Sequence, residues 1–167
     1  MQITQKIIRR QILAAAALAA VAFMPAVPAL AATTIHVSLT DQGAEKEMPM
    51  GLGMNMGGDM TKATMAVVVD KKEVKAGKVT FEVVNDSKGL VHELIVGHLV
   101  DPAKQLPYVP ADSKVDEEGS DHLGEVSELD PGKSGALILT LKPGTYILYC
   151  NVAGHYMAGM WTLITVK

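Results

Sequence analysis

Cysteine is almost absent: Cys150 is the only one in 167 residues, which excludes an intramolecular disulfide. Arginine is confined to Arg9 and Arg10, so from residue 32 onward 12 Lys and no Arg stand against 18 acids, a balance of −6. An acidic, arginine-free surface argues against nucleic acid as a partner, because phosphate binding needs clustered cations. The same surface suits a basic protein partner, and it also serves simply to keep a chain soluble. Beyond residue 31 no segment offers ten or more residues at a clean helical period, and no internal repeat is visible.

The first residues have a different character. Residues 1–11 carry Lys6, Arg9 and Arg10 with no acid, an apolar run follows from Ile12 to Val27, and Ala29-Leu30-Ala31 closes it. That order of basic, apolar and small residues predicts a secretory signal over 1–31, removed from the mature chain. Pro25 and Pro28 interrupt the run, which is short for a membrane span, so no membrane association is expected after cleavage. Arg9-Arg10 leaves both the general secretory and the twin-arginine export routes open. The expected location is the periplasm. Residues 32–167 make one domain's worth of chain. A lone thiol in an oxidising compartment is a liability unless it is buried or bound, so Cys150 needs a reason.

The rest of the chain reads as β-structure. Short runs rich in Val, Ile, Leu, Thr and Tyr predict strands over 33–39, 63–69, 79–84, 91–100, 136–141, 145–149 and 161–166. Turn signals separate them at Lys75-Ala76-Gly77-Lys78, Asp86-Ser87-Lys88-Gly89, Asp130-Pro131-Gly132-Lys133 and Lys142-Pro143-Gly144. Seven to eight strands with regular turns imply an all-β, Greek-key sandwich or barrel. Two stretches break the rhythm. Residues 43–60 hold Met48, Met50, Met54, Met56 and Met60 among glycines, and residues 101–134 read as an acidic loop with a short helical turn near Pro102-Ala103-Lys104-Gln105.

The segment from Cys150 to Met160 carries the chemistry. Its spacing is Cys-x4-His-x4-Met, with Cys150, His155 and Met160 on one loop between two strands. A thiolate, an imidazole and a thioether from one short arc select copper over hard cations, and a His2Cys plane with a weak axial Met is an electron-transfer copper geometry. Zinc is a poorer match, since structural zinc sites usually offer more thiolates. The remaining ligand must come from elsewhere; His92, where an upstream strand begins after a turn, is the candidate. Met157, two residues after His155, competes with Met160 for the axial role.

The segment Lys142-Pro143-Gly144-Thr145-Tyr146-Ile147-Leu148-Tyr149-Cys150, with the loop to Gly159-Met160, resembles the copper-ligand region of the cupredoxins. The ligand spacing is similar to that of rusticyanin and sulfocyanin, and the chain looks like small bacterial periplasmic copper-binding proteins of the plastocyanin–azurin superfamily. The resemblance covers residues 60–100 and 125–167 well and 32–59 and 101–124 loosely. It implies one type 1 copper, with His92 and His155 as imidazole ligands, Cys150 as the thiolate and Met160, in its Gly159-Met160 context, as the axial thioether. One departure stands out: many cupredoxins place Asn or Ser directly after the first His, where this chain has Glu93. Glu93 is either an acceptor that ties the two ligand segments together or a solvent-facing residue on an alternating strand.

The remaining candidates are weaker. His36, His98 and His122 are isolated in sequence and are expected to bind no metal. Met48, Met50, Met54 and Met56 form a candidate Cu(I) segment, since thioethers favour Cu(I); the alternative is gap-filling over the sandwich. Met60 and Met65 are expected in the core. Five histidines in all are too few for the further copper centres of a copper oxidase, and four filled ligand positions leave no open coordination for a substrate, so no enzyme is expected. The functional expectation is a monomeric one-electron carrier that docks a redox partner protein. The alternative is a copper-tolerance protein that captures or buffers periplasmic copper and exchanges it with a copper-transport protein.

Overall fold

The computed structural model of the protein describes residues 32–167; the secretory signal expected over 1–31 lies outside the described residues. Eleven strands make up this part: β1 (Thr33–Asp41), β2 (Met65–Val69), β3 (Glu73–Val74), β4 (Gly77–Asn85), β5 (His92–Leu99), β6 (Tyr108–Val109), β7 (Lys114–Val115), β8 (His122–Leu129), β9 (Ser134–Leu141), β10 (Gly144–Tyr149) and β11 (Trp161–Val166). The only helical element among the described residues is a 3-10 turn at Met60–Lys62.

The strands form a sandwich. One sheet has the order β2-β1-β4-β9, the other β3-β11-β10-β5-β8, and β6 and β7 make a separate small hairpin. Most neighbours are antiparallel, but β1 runs parallel to β4 and β3 parallel to β11. Strict alternation decides the inner faces. In β4 the buried residues are Val79, Phe81, Val83 and Asn85, every second position, so one face of the strand enters the core and the other meets solvent. Ile35, Val37 and Leu39 do the same in β1. They meet Leu94, Val96, Leu148 and Ile164 of the opposite sheet in one core, each such burial contributing about 1.5–3 kcal/mol.

The five-stranded sheet is buried on its other face as well. Ile95, Leu99, Ile147 and Tyr149 point away from the sandwich interior and pack with Met54, Leu106, Val115 and Tyr156 in a second core. Two-sided burial explains why β5 reads as the continuous run His92 to Val96 rather than as an alternating strand.

The seven expected strands correspond to β1, β2, β4, β5, β9, β10 and β11; the count of seven to eight is corrected to eleven. The main addition is β8, inside the segment read as an acidic loop over 101–134. It is an edge strand on which Val126 alone is buried, and it carries Glu125 and Glu128. Charge on an edge deters pairing with other chains but erases the apolar pattern by which a strand is recognised. Its pairing with β5 is interrupted twice by register shifts. Near Pro102–Gln105 the expected helical turn is an isolated turn, closed by Lys104 N–H donating to Asp101 O at 3.1 Å.

Candidate metal centre

Strand register brings the distant ligand candidates to one end of the sandwich. β10 pairs with β5 as far as Tyr149–Ile95 and with β11 as far as Tyr149–Trp161. The start of β5 therefore lies beside the loop 150–160 that joins β10 to β11. Cys150 N–H donates to Met160 O at 3.1 Å, closing the loop at its base, and Met160 N–H donates to His155 O at 3.1 Å. Gly154 (φ 84°) and Gly159 (φ 95°) make its two sharp reversals in the left-handed region. A Cβ at Gly159 would also come within 2.8 Å of the Ala63 Cβ.

One ligand atom each from His92, Cys150 and His155 lie within 4.8 Å of one another, all three residues buried. The His92 and His155 Nδ1 atoms are 3.2 Å apart. Cys150 Sγ is 3.4 Å from His155 Nδ1 and 3.9 Å from His92 Nδ1. Met160 is fully buried in the same core as Cys150. Its competitor Met157 packs against the second core, on the other side of the sheet. Both imidazoles thus aim Nδ1 at the thiol, with a thioether close by.

The protonation states follow from burial. Burial pushes the Cys150 thiol up to about 12, although the Glu93 and Val152 N–H groups pull against the shift. Burial, and then the neighbouring His92, lower His155 to about 4. Burial lowers His92 too, opposed by Asp41. At neutral pH the cavity holds two uncharged imidazoles, which are ready donors to a cation, and a thiol that a soft cation would have to deprotonate. Thiolate, two imidazoles and thioether in a water-poor cavity form the donor set that suits copper.

Glu93 is not the solvent-facing residue of the second expectation. Its side chain is buried, its Oε1 accepts the Asn151 N–H at 3.0 Å, and its own N–H donates to Cys150 Sγ at 3.5 Å. One residue thus ties the His92 strand to the Cys150 loop. Burial raises its carboxyl to about 7, with Lys114 opposing and Glu125, Glu117 and Glu128 reinforcing the shift.

No protein-family model matches the chain, and no curated protein matches its sequence. Solved structures do. Reduced rusticyanin superposes with a TM-score of 0.50 at 20% identity, over 83% of this chain and 82% of that one. Rusticyanin from Thiobacillus ferrooxidans gives 0.50 at 18%, over 81% and 78%. The fold is that of the cupredoxins. Dithionite-reduced auracyanin from Roseiflexus castenholzii is also similar, with a TM-score of 0.48 at 21% identity over 81% of this chain and 98% of that one.

Within this cupredoxin fold the other candidates are dispersed. Met54 is 1% exposed and Met56 packs beside it in the second core, whereas Met48 and Met50 are exposed. Met54 is a packing residue rather than an open thioether, and the four methionines differ widely in exposure. Met65 is in the core as expected, but Met60, expected there too, is 42% exposed. His36 meets Glu82 at 3.1 Å and His98 meets Asp121 at 3.0 Å. His122, isolated in sequence, has Glu117 at 3.9 Å and Glu125 at 4.0 Å.

Two residues beside the centre escaped sequence reasoning. Asp41, at the end of β1, places Oδ2 2.9 Å from His92 Nε2, and both side chains are almost fully buried. Burial alone would raise Asp41; hydrogen bonds from His92 and the Gly43 N–H outweigh it and hold the carboxyl below its ordinary value. Asn151 accepts the Val115 N–H at 2.7 Å and donates to Val115 O at 3.0 Å and Glu117 Oε1 at 2.8 Å. It fastens the β6–β7 hairpin and the acidic segment to the ligand loop. Asn151 follows Cys150 directly and could have been suspected; Asp41 lies 51 residues from His92, and nothing local marks it.

Proposed function

We propose that the chain is a periplasmic one-electron carrier holding a single type 1 copper through His92 Nδ1, Cys150 Sγ, His155 Nδ1 and Met160. The observation that carries this reading is the convergence of two imidazole nitrogens and a thiol sulfur within 4.8 Å in a buried pocket. Bound copper would supply a one-electron couple between Cu(I) and Cu(II). The protein's part is to keep one arrangement of donors for both states. His92 and Cys150 are cross-tied by Glu93, and loop 150–160 is closed by its own backbone hydrogen bonds. Such a frame limits reorganisation when charge changes.

Cys150 gives up its proton on loading, so copper binding near neutral pH is expected to release about one proton per site. His155 is 5% exposed and is the ligand whose ring edge serves as the electron's exit; a redox partner protein would dock over the neighbouring Val152 and Met157. All four donor positions are filled, which suits a carrier rather than an enzyme. No helix among the described residues is long and apolar enough to cross a membrane. The copper-buffering alternative gains no support from the Met-rich segment, since Met54 is committed to packing.

Titration of the protein with Cu(II), followed by visible and EPR spectroscopy, tests the reading. One equivalent should give an intense thiolate-to-copper band that Cys150→Ser abolishes. A colourless wild type would overturn it.

A further inference from the structure

Each nitrogen of the His92 ring has its own neighbour. Nδ1 faces His155 Nδ1 at 3.2 Å and Cys150 Sγ at 3.9 Å, while Nε2 points the opposite way, to Asp41 Oδ2 at 2.9 Å. The side chains of His92 and Asp41 are 0% and 1% exposed, so water does not compete for this contact. An ionised carboxylate only accepts hydrogen bonds, so the proton of a neutral His92 sits on Nε2 and the lone pair on Nδ1.

The carboxylate is itself fixed. Its Oδ1 takes the Gly43 N–H at 2.5 Å, and Gln42 N–H donates to Thr64 O at 2.9 Å, so the chain leaving β1 is tied down on both sides of the turn. Asp41 belongs to the four-stranded sheet and His92 to the five-stranded one. The contact therefore spans the open end of the sandwich, and the position of one ligand depends on how the two sheets meet.

We propose that Asp41 is a positioning residue of the centre: it holds His92 as the Nε2-protonated tautomer with Nδ1 free to ligate, and its buried negative charge favours the more highly charged oxidation state of the bound metal. The second half rests on the copper reading above; the first does not, because the tautomer exists without metal. A carboxylate behind a ligating imidazole raises the basicity of the ligand, and a fixed anion in a low-dielectric site interacts more strongly with Cu(II) than with Cu(I).

Two substitutions separate the roles. Asp41→Asn keeps a hydrogen-bond acceptor and removes the charge; Asp41→Ala removes both. In the metal-free protein, nitrogen-15 NMR of the histidine rings should show His92 protonated at Nε2 in the wild type and in Asp41→Asn, and as a tautomer mixture in Asp41→Ala. With copper, Asp41→Asn should keep the thiolate band while the ratio of Cu(II) to Cu(I) affinity falls about tenfold or more, which for one electron is a rise of about 59 mV in reduction potential. Asp41→Ala should lose about 10–100-fold in Cu(II) affinity. If Asp41→Ala does not fold, the wild-type tautomer and Asp41→Asn still decide the matter. A His92 protonated at Nδ1 in the metal-free wild type overturns the positioning role, and an unchanged potential in Asp41→Asn overturns the electrostatic one. A wild type without the thiolate band removes the copper reading and the electrostatic role with it, while the tautomer result continues to judge the positioning role.

Discussion

The two faces of the five-stranded sheet are covered by different means. The inner face meets another sheet whose residues alternate in and out, as in Val79, Phe81 and Val83. The outer face is covered by irregular chain, from the Met-rich segment through Met54 and from the acidic stretch through Leu106 and Val115. Loop 150–160 divides in the same way. Cys150, Ala158 and Met160 belong to the inner core, and Tyr156 and Met157 to the outer one. The lesson is a division of labour: the inward residues of the loop offer donors, and the outward residues hold the loop in place.

The division of labour is most open to test at its two extremes. Cys150→Ser should abolish the thiolate-to-copper band while lowering the thermal unfolding transition of the metal-free protein only modestly, because the hydroxyl placed in the core has the His155 and His92 Nδ1 atoms as hydrogen-bond partners. Tyr156→Ala should weigh far more on stability. It empties a fully buried aromatic site and should cost about 3–5 kcal/mol in chemical denaturation of the metal-free chain. Were Tyr156→Ala to leave stability intact, the outer core would be a loose cover and the division would fail.

A finer test sets the two methionines of the loop against each other. Met160→Leu should shift the visible band and the EPR parameters of the copper form, whereas Met157→Leu should leave both where they were, with a stability change below about 1.5 kcal/mol in each case. The opposite pattern would exchange their roles. The last test, Tyr156→Phe, acts on stability alone. The Tyr156 hydroxyl accepts the buried Met54 N–H at 2.9 Å, and leaving that donor unpaired should cost about 1–3 kcal/mol, read as a lower denaturation midpoint with an unaltered copper spectrum.

The same division decides what could be read in the sequence. Inner-face strands announce themselves because a half-buried strand must alternate, and β1, β4 and β9 do. The outer cover could not be read, because its burial is scattered through turns: Met54 and Leu106 are isolated apolar residues in polar surroundings, and no period links them. β8 was hidden for the opposite reason, since an edge strand with one buried residue has no pattern to show. At the centre, Cys150, His155 and Met160 stood out as candidates because one loop supplies them at fixed spacing. Asp41 was not, because its contact with His92 is made by the meeting of two sheets. The resemblance favoured Met160 over Met157 from its Gly159-Met160 context, and the fold adds that the two pack on opposite sides of a sheet.

Loop 150–160 joins β10 to β11, and these two strands occupy interior places in their sheet between β3 and β5. That sheet cannot close until residues 144–166 are available, so β3 and β5 must wait for partners further along the sequence, which makes for a slow search. The thiol and the second imidazole arrive with the same segment. A shortened chain that ends before Gly144 would therefore lack its central strands together with every proposed donor but His92, and a partly made molecule offers copper no finished site to occupy.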